Sequence, residues 1–278
     1  MTADSKTAGG GPRDASSGDG QVAPGVVQAP VEATVLYAVE GAVATITLNR
    51  PQSRNALNLA MCDGLMRACL AASSDPSVRL VLIRGAGPVF CAGADLKERK
   101  GMGEDQVRAR RLRAFAAYEA IERLPMPSMA IVHAPAVGSG CEIAAACDFI
   151  VATDTASFRT PEALWGTVGA TQRLPRILGK RLAKDLMFTG RPLSAAEALV
   201  CGLVSRVVDV ADLEATVNSI AQTITAAPPE ALRLAKRSID QGLELDPRGA
   251  LATEILAIEE HLARNDWRSG PGAFGDHS

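Results

Sequence analysis

Val137-Gly138-Ser139-Gly140-Cys141-Glu142 is a turn of small residues that delivers a carboxylate to the start of an apolar run, Ile143 to Cys147. It reads as a strand end, a glycine-marked turn and the opening of a helix, where Glu142 sits near the positive end of the helix dipole. Further along, Glu162 follows Thr160-Pro161, after a short strand-like stretch around Phe158. Two carboxylates that share one water are the minimum equipment for adding water to, or removing it from, a polarised double bond. One acts as base and the other as acid once their surroundings separate their proton affinities. Taken alone, each glutamate is equally readable as a surface residue.

A second segment, Phe90-Cys91-Ala92-Gly93-Ala94-Asp95-Leu96-Lys97-Glu98-Arg99, places small residues between a strand and a helix. Such residues let backbone approach a ligand closely and leave N–H groups free to face an oxygen that gains charge. The turn before Glu142 offers the same, with a helix N-terminus behind it. One N–H from each loop would make an oxyanion hole for a thioester carbonyl. Losing one such donor costs about 10²–10³ in rate.

Around these segments strands and helices alternate. Thr34 to Val39 and Ala42 to Leu48 flank Glu40-Gly41 and read as a hairpin. Leu57 to Ala72 reads as a helix with Leu65, Met66, Cys69 and Leu70 as its buried stripe. Val78 to Ile83, Met129 to Val132 and Phe149 to Ala152 read as short buried strands, and Leu112 to Leu124 as a helix stopped by Pro125 and Pro127. Pro175 to Phe188 reads as one helix, and Ser194 to Glu197 has capping-box spacing before a helix ended by Gly202. Leu203 to Val208 is a strand. From Asp212 the pattern is helical over 212–226, 229–241 and 247–264. The fold class is α/β, with residues 1–30 as a disordered tail, 31–210 as the core and 211–278 as a helical C-terminal region.

The chain has 278 residues and a formal net charge of -2, which gives no general attraction to nucleic acid. Met1 to Pro30 holds no aromatic residue and no apolar core of the kind a signal peptide needs. No run approaches a membrane span. Cysteines 62, 69, 91, 141, 147 and 201 form no C-x-x-C pair and no cluster with the three histidines, so no metal is expected. They read as reduced thiols of a cytoplasmic protein. In the basic run from Lys97 to Arg113, Lys97 is the candidate for meeting a phosphorylated ligand.

Taken together, these segments resemble the crotonase (enoyl-CoA hydratase/isomerase) superfamily, from about Val35 to Phe274. The likeness rests on Asn49-Arg50-Pro51, Asn55-Ala56-Leu57, Phe90 to Arg99, Gly138 to Asp148, Thr160-Pro161-Glu162 and Thr171-Gln172-Arg173-Leu174. Later matches are Leu182-Ala183-Lys184 with Thr189-Gly190, Ala195 to Val204, and Ala235-Lys236. The wording Cys91 to Arg99 and Gln241-Gly242 is similar to the methylglutaconyl-CoA hydratase branch. The resemblance implies a spiral of β-β-α turns with a helical C-terminal region, assembled as trimers or dimers of trimers. It implies an oxyanion hole at the N–H groups of Ala94 and Ser139, and Glu142 and Glu162 as the catalytic pair. Arg54, Ala56, Ala92, Asp95, Leu96, Lys97, Gly138, Trp165 and Gly169 fall where relatives line the substrate. The reaction implied is reversible syn addition of water to a 2-enoyl-CoA, with coenzyme A as part of the substrate and no separate cofactor.

Four departures bear on that reading. Ser139 replaces the middle glycine of the family's turn, and its Cβ is expected to restrict φ and tilt the donor. The loop Gly166 to Thr171 is about two residues shorter than the family's version, with Gly169 as a substitute of unassigned place. Trp165 is bulkier than the usual aliphatic residue and is expected to narrow an acyl pocket. The chain stops soon after Phe274, without the basic tail of relatives. The short loop keeps an isomerase or other enolate reaction open. A third reading, a non-catalytic acyl-CoA or RNA binder, is opposed for RNA by the single basic residue, Arg67, in the helix where relatives are lysine-rich.

Overall fold

The computed structural model describes residues 33–264; the tail read over 1–30 and the segment after Arg264 lie outside the described residues. The chain runs β1 (Val35–Glu40), β2 (Val43–Leu48), α1 (Leu59–Ser74), β3 (Leu80–Gly85), α2 (Leu96–Arg99), α3 (Glu104–Glu122), β4 (Ser128–Val132), β5 (Ala136–Val137) and α4 (Ser139–Ala145). It continues through β6 (Phe149–Thr153), β7 (Ser157–Arg159), α5 (Arg173–Leu178), α6 (Lys180–Thr189), β8 (Leu193–Ser194), α7 (Ala195–Val200) and β9 (Arg206–Val208). The helices α8 (Leu213–Ala226), α9 (Pro229–Gly242) and α10 (Pro247–Arg264) follow.

The main sheet has the order β1-β2-β3-β4-β6-β9, with β1 antiparallel at its edge and every other pairing parallel. Both faces are covered, so β3 and β4 read as continuous apolar runs. Along β3, Leu80 and Leu82 pack toward Val217 and Ile220 of α8, while Val81 and Ile83 join the larger core. The strand period of two sorts them onto opposite faces.

A second, short stack runs beside the sheet. Leu57 bridges Ala94, Cys91 bridges Ala136, and β5 pairs with β7. Each turn of chain therefore gives one strand to the main sheet, one short segment to the second stack, and then a helix. These are the β-β-α turns of the expected spiral. The ends of the short segments carry the two candidate oxyanion turns and lead to both glutamates.

Asn55 fixes the first of these crossings. Its side chain is fully buried and its amide nitrogen donates to the carbonyls of Ala86, Val89 and Phe90, while Oδ1 accepts from the Arg50 N–H. It holds φ +54, a left-handed geometry that asparagine tolerates better than most residues.

Several boundaries differ from the sequence expectation. Helix α3 starts at Glu104, eight residues before the apolar signal, because Glu104 and Asp105 pair with Arg108 along a charged first turn. The stretch 175–188 is two helices broken at Gly179, whose φ of +74 ends α5. Leu70 is exposed, and the buried face of α1 is Met61, Cys62, Leu65, Ala68, Cys69 and Ala72. Small residues dominate that face because α1 lies close to β1: a Cβ on Gly64 would come 2.9 Å from Val35. The capping box at Ser194 and Glu197 is present as read.

Candidate active site

The two turns meet through their glycines. A Cβ on Gly93 would lie 3.0 Å from the Val137 carbonyl oxygen and 3.9 Å from the Ser139 nitrogen. A Cβ on Gly140 would lie 2.5 Å from the Cys91 carbonyl oxygen. In the Leu57–Ala94 bridge, Leu57 N–H donates to Gly93 O at 2.7 Å and Asp95 N–H to Leu57 O at 2.9 Å. That parallel pattern turns the Ala94 N–H away from Leu57. Ser139 is the first residue of α4, whose leading N–H groups have no partner within the helix. Cys91 and Cys141, one in each turn, are both buried, and Cys141 Sγ donates to Ala136 O at 3.1 Å.

Ser139 does not carry the backbone strain that its Cβ suggested. The left-handed step falls on Gly138, at φ +51 and ψ −110, and Ser139 enters the helix in an ordinary conformation. Its side chain instead lies by Tyr118 of α3, where it opposes the burial that pushes the Tyr118 hydroxyl's pKa up.

Glu142 is buried in the first turn of α4. Burial raises its pKa; a 2.7 Å ion pair from Arg173 Nη1 to its Oε2 pulls the other way, and nearby Glu122 adds a small upward push. Glu162 opens a short 3-10 turn, Glu162–Trp165. A Cβ on Gly138 would lie 2.7 Å from its Oε1, and one on Gly169 3.0 Å from its Cγ. Its Oε2 is buried without a hydrogen-bond partner among the described residues, as is Thr160 Oγ1. Burial raises the Glu162 pKa, its own backbone N–H lowers it, the Glu142 charge raises it further, and Arg111 lowers it.

The loop after Glu162 is held from α3. Arg111 donates to the Val168 carbonyl and the Thr167 hydroxyl. Gly169, without an assigned place in the sequence, packs on Glu162. The remaining candidates separate into two groups. Arg54 (φ +53) gives its carbonyl to the Ala92 N–H at 2.9 Å, so Arg54, Ala56 and Ala92 frame the first crossing. Asp95 caps α2 through Lys97 N–H and Glu98 N–H and pairs with Arg50 at 2.9 Å. Those bonds commit it to holding the turn. Leu96, Lys97 and Trp165 are exposed, Trp165 at 55%, and stand at the rim.

A family model described as enoyl-CoA hydratase/isomerase matches residues 38–277. The chain belongs to that family. It is 37% identical over 244 residues to the short-chain-enoyl-CoA hydratase of Clostridium acetobutylicum, covering 86% of this chain and 94% of that one. It is 37% identical over 261 residues to enoyl-CoA hydratase domain-containing protein 2, mitochondrial, of Bos taurus, covering 90% and 88%. The crystal structure of an enoyl-CoA hydratase from Bacillus anthracis superposes with a TM-score of 0.83 at 38% identity, covering 87% of this chain and 95% of that one.

Within this enoyl-CoA hydratase/isomerase chain, the sequence carried no sign of three side chains that surround the glutamates and their turn. Arg173 lay inside a quoted match, yet nothing local tied it to Glu142, thirty-one residues earlier. Arg111 sat in a basic run weighed for phosphate, and its partners are the Thr167 hydroxyl and a loop carbonyl. Tyr118 gave no polar signal because its helix position is buried. Among the described residues no helix is long and apolar enough to cross a membrane.

Proposed function

We propose that the protein is an enoyl-CoA hydratase, adding water reversibly and syn across a 2-enoyl-CoA to give a 3-hydroxyacyl-CoA. The observation that carries this is the unequal environment of two carboxylates beside one turn, Glu142 buried and Glu162 half-buried with its Oε2 enclosed. Arg173 favours the ionised form of Glu142, whereas Glu142's charge adds to burial in favouring the protonated form of Glu162. On that asymmetry Glu142 is assigned the part of base and Glu162 the part of acid. Glu142 takes a proton from water as it attacks C3, and Glu162 gives one to C2. The Ala94 and Ser139 N–H groups receive the charge that builds on the thioester oxygen. Positioned acid–base groups of this kind contribute about 10²–10⁴ each.

Coenzyme A enters as part of the substrate, and the reaction needs no separate cofactor. Leu96 and Lys97 at the rim suit the carrier, whereas Trp165, exposed at the same rim, does not line an enclosed acyl pocket as the sequence suggested. The resemblance supports a trimer or a dimer of trimers as the assembly.

A second reading, proton transfer that isomerises a 3-enoyl to a 2-enoyl thioester, is favoured by the short loop Gly166 to Thr171, since isomerisation needs no fixed water. Loss of conjugated-enoyl absorbance from crotonyl-CoA tests the choice. Rapid loss with the wild type but not with Glu162→Gln, and a 3-hydroxy product, support hydration. A folded wild type that leaves crotonyl-CoA unchanged sinks it.

A further inference from the structure

One arginine links helix α3 to Glu142. Arg173 Nε and Nη2 grip Glu122 Oε1 and Oε2 at 2.5 and 2.7 Å, while Nη1 reaches Glu142 Oε2 at 2.7 Å. Its guanidinium carbon lies 5.4 Å from the centre of the Tyr118 ring. The fork on Glu122 fixes the plane of the guanidinium, and the ring beneath fixes its height. The third bond is thereby aimed. Glu142 is left with Oε1 as the oxygen to which no donor is bonded among the described residues. This matters because a general base works only when one lone pair faces the proton it takes.

Resting on the hydratase reading, we propose that Arg173 is a positioning residue: gripped by Glu122 and seated on Tyr118, it orients Glu142 so that Oε1 alone faces the attacking water. The charged and titratable groups facing Glu142 are Arg173 from α5, Glu122 and Tyr118 from α3, and Glu162 from the 3-10 turn. Lysine does not reproduce the arrangement, because a single ammonium offers no planar fork to hold two carboxylates in register. The burial-driven rise in the Glu142 pKa, opposed by Arg173, is consistent with this role.

Kinetics of the full chain on crotonyl-CoA test the proposal. Arg173→Gln lowers kcat at neutral pH about tenfold or more, within what a whole acid–base group contributes, and leaves KM nearly unchanged. The acid limb of its kcat profile moves to higher pH, since the ionised base has lost its cation. Arg173→Lys recovers the limb position more fully than it recovers kcat. Glu122→Gln moves the limb the other way, because it removes a negative charge near Glu142. In a Glu142→Gln background, Arg173→Gln has no further effect on kcat.

An unmoved limb, or the same fold-loss with Glu142 already replaced, overturns the proposal. If the wild type does not hydrate crotonyl-CoA, the hydratase reading falls by itself. The Glu142 carboxyl is then followed by carbon NMR, assigned with Glu142→Gln. A midpoint that rises in Arg173→Gln supports the grip on Glu142, and one that does not move overturns it.

Discussion

Oε1 of Glu162 occupies the space that a side chain on Gly138 would need: a Cβ there would sit 2.7 Å from it. The glycine is required twice over, since its φ of +51 with ψ −110 lies in a region that residues with a Cβ avoid. Gly138→Ala is therefore expected to strain the turn by about 1–3 kcal/mol and to push Glu162 aside. Steady-state kinetics should show kcat down by about 10² or more, together with a lower melting temperature. Gly166→Ala is the control. It also has positive φ but open space around it, so it should lower stability while keeping most of the activity.

Glu162→Gln should separate activity from stability. Burial raises the Glu162 pKa in the fold, so the folded state prefers the protonated form. Its stabilising contribution is complete below the unfolded carboxylate value, about 4.3, and is lost as pH rises through the folded value. The variant should match the wild type in urea unfolding at low pH and exceed it at pH 8, while kcat falls by about 10² or more. A stability difference that shrinks as pH rises would contradict this.

Arg111→Gln removes both the clamp on the Thr167–Val168 loop and a cation that lowers the Glu162 pKa. If Glu162 is the acid, the basic limb of the kcat profile should shift upward. The loop should also become more open to proteolysis. Limited digestion with peptide mapping would show new cleavage near Val168, and an unchanged pattern would count against the clamp.

Asn55→Ala leaves three carbonyls without their shared donor and the Arg50 N–H without its acceptor. It also puts alanine at φ +54. Both effects act in one direction, and chemical denaturation should show a loss of about 2–4 kcal/mol. A loss well under 1 kcal/mol would mean that the loop rearranges to find other donors.

The alternation of strands and helices was legible because burial on both faces of β3 and β4 leaves uninterrupted apolar runs. The second stack was harder to see. Leu57, Cys91 and Ala136 each contribute too little strand for any periodicity, yet their bridges bring the two turns together. Glu142 and Glu162 were legible from the small or rigid residues around them. What fixes their protonation was not. Arg173 bonds Glu142 from across the fold, Glu122 and Arg111 act on the pair only through their charge, and a charged side chain carries no local sign of its partner. Polar helix starts such as Glu104 to Arg111 were invisible for a related reason: ion pairs stabilise them without leaving an apolar stripe.

Cys91 and Cys141 lie one in each of the two turns that meet through Gly93 and Gly140. Burial pushes the Cys91 thiol up to about 12 and raises Cys141 as well, so neither offers thiolate to a reagent while the turns are closed. Alkylation at these two sulfurs thus reports how often the turns part. Any opening of these two turns is therefore recorded by the sulfurs they enclose, readable by mass spectrometry without any added label site.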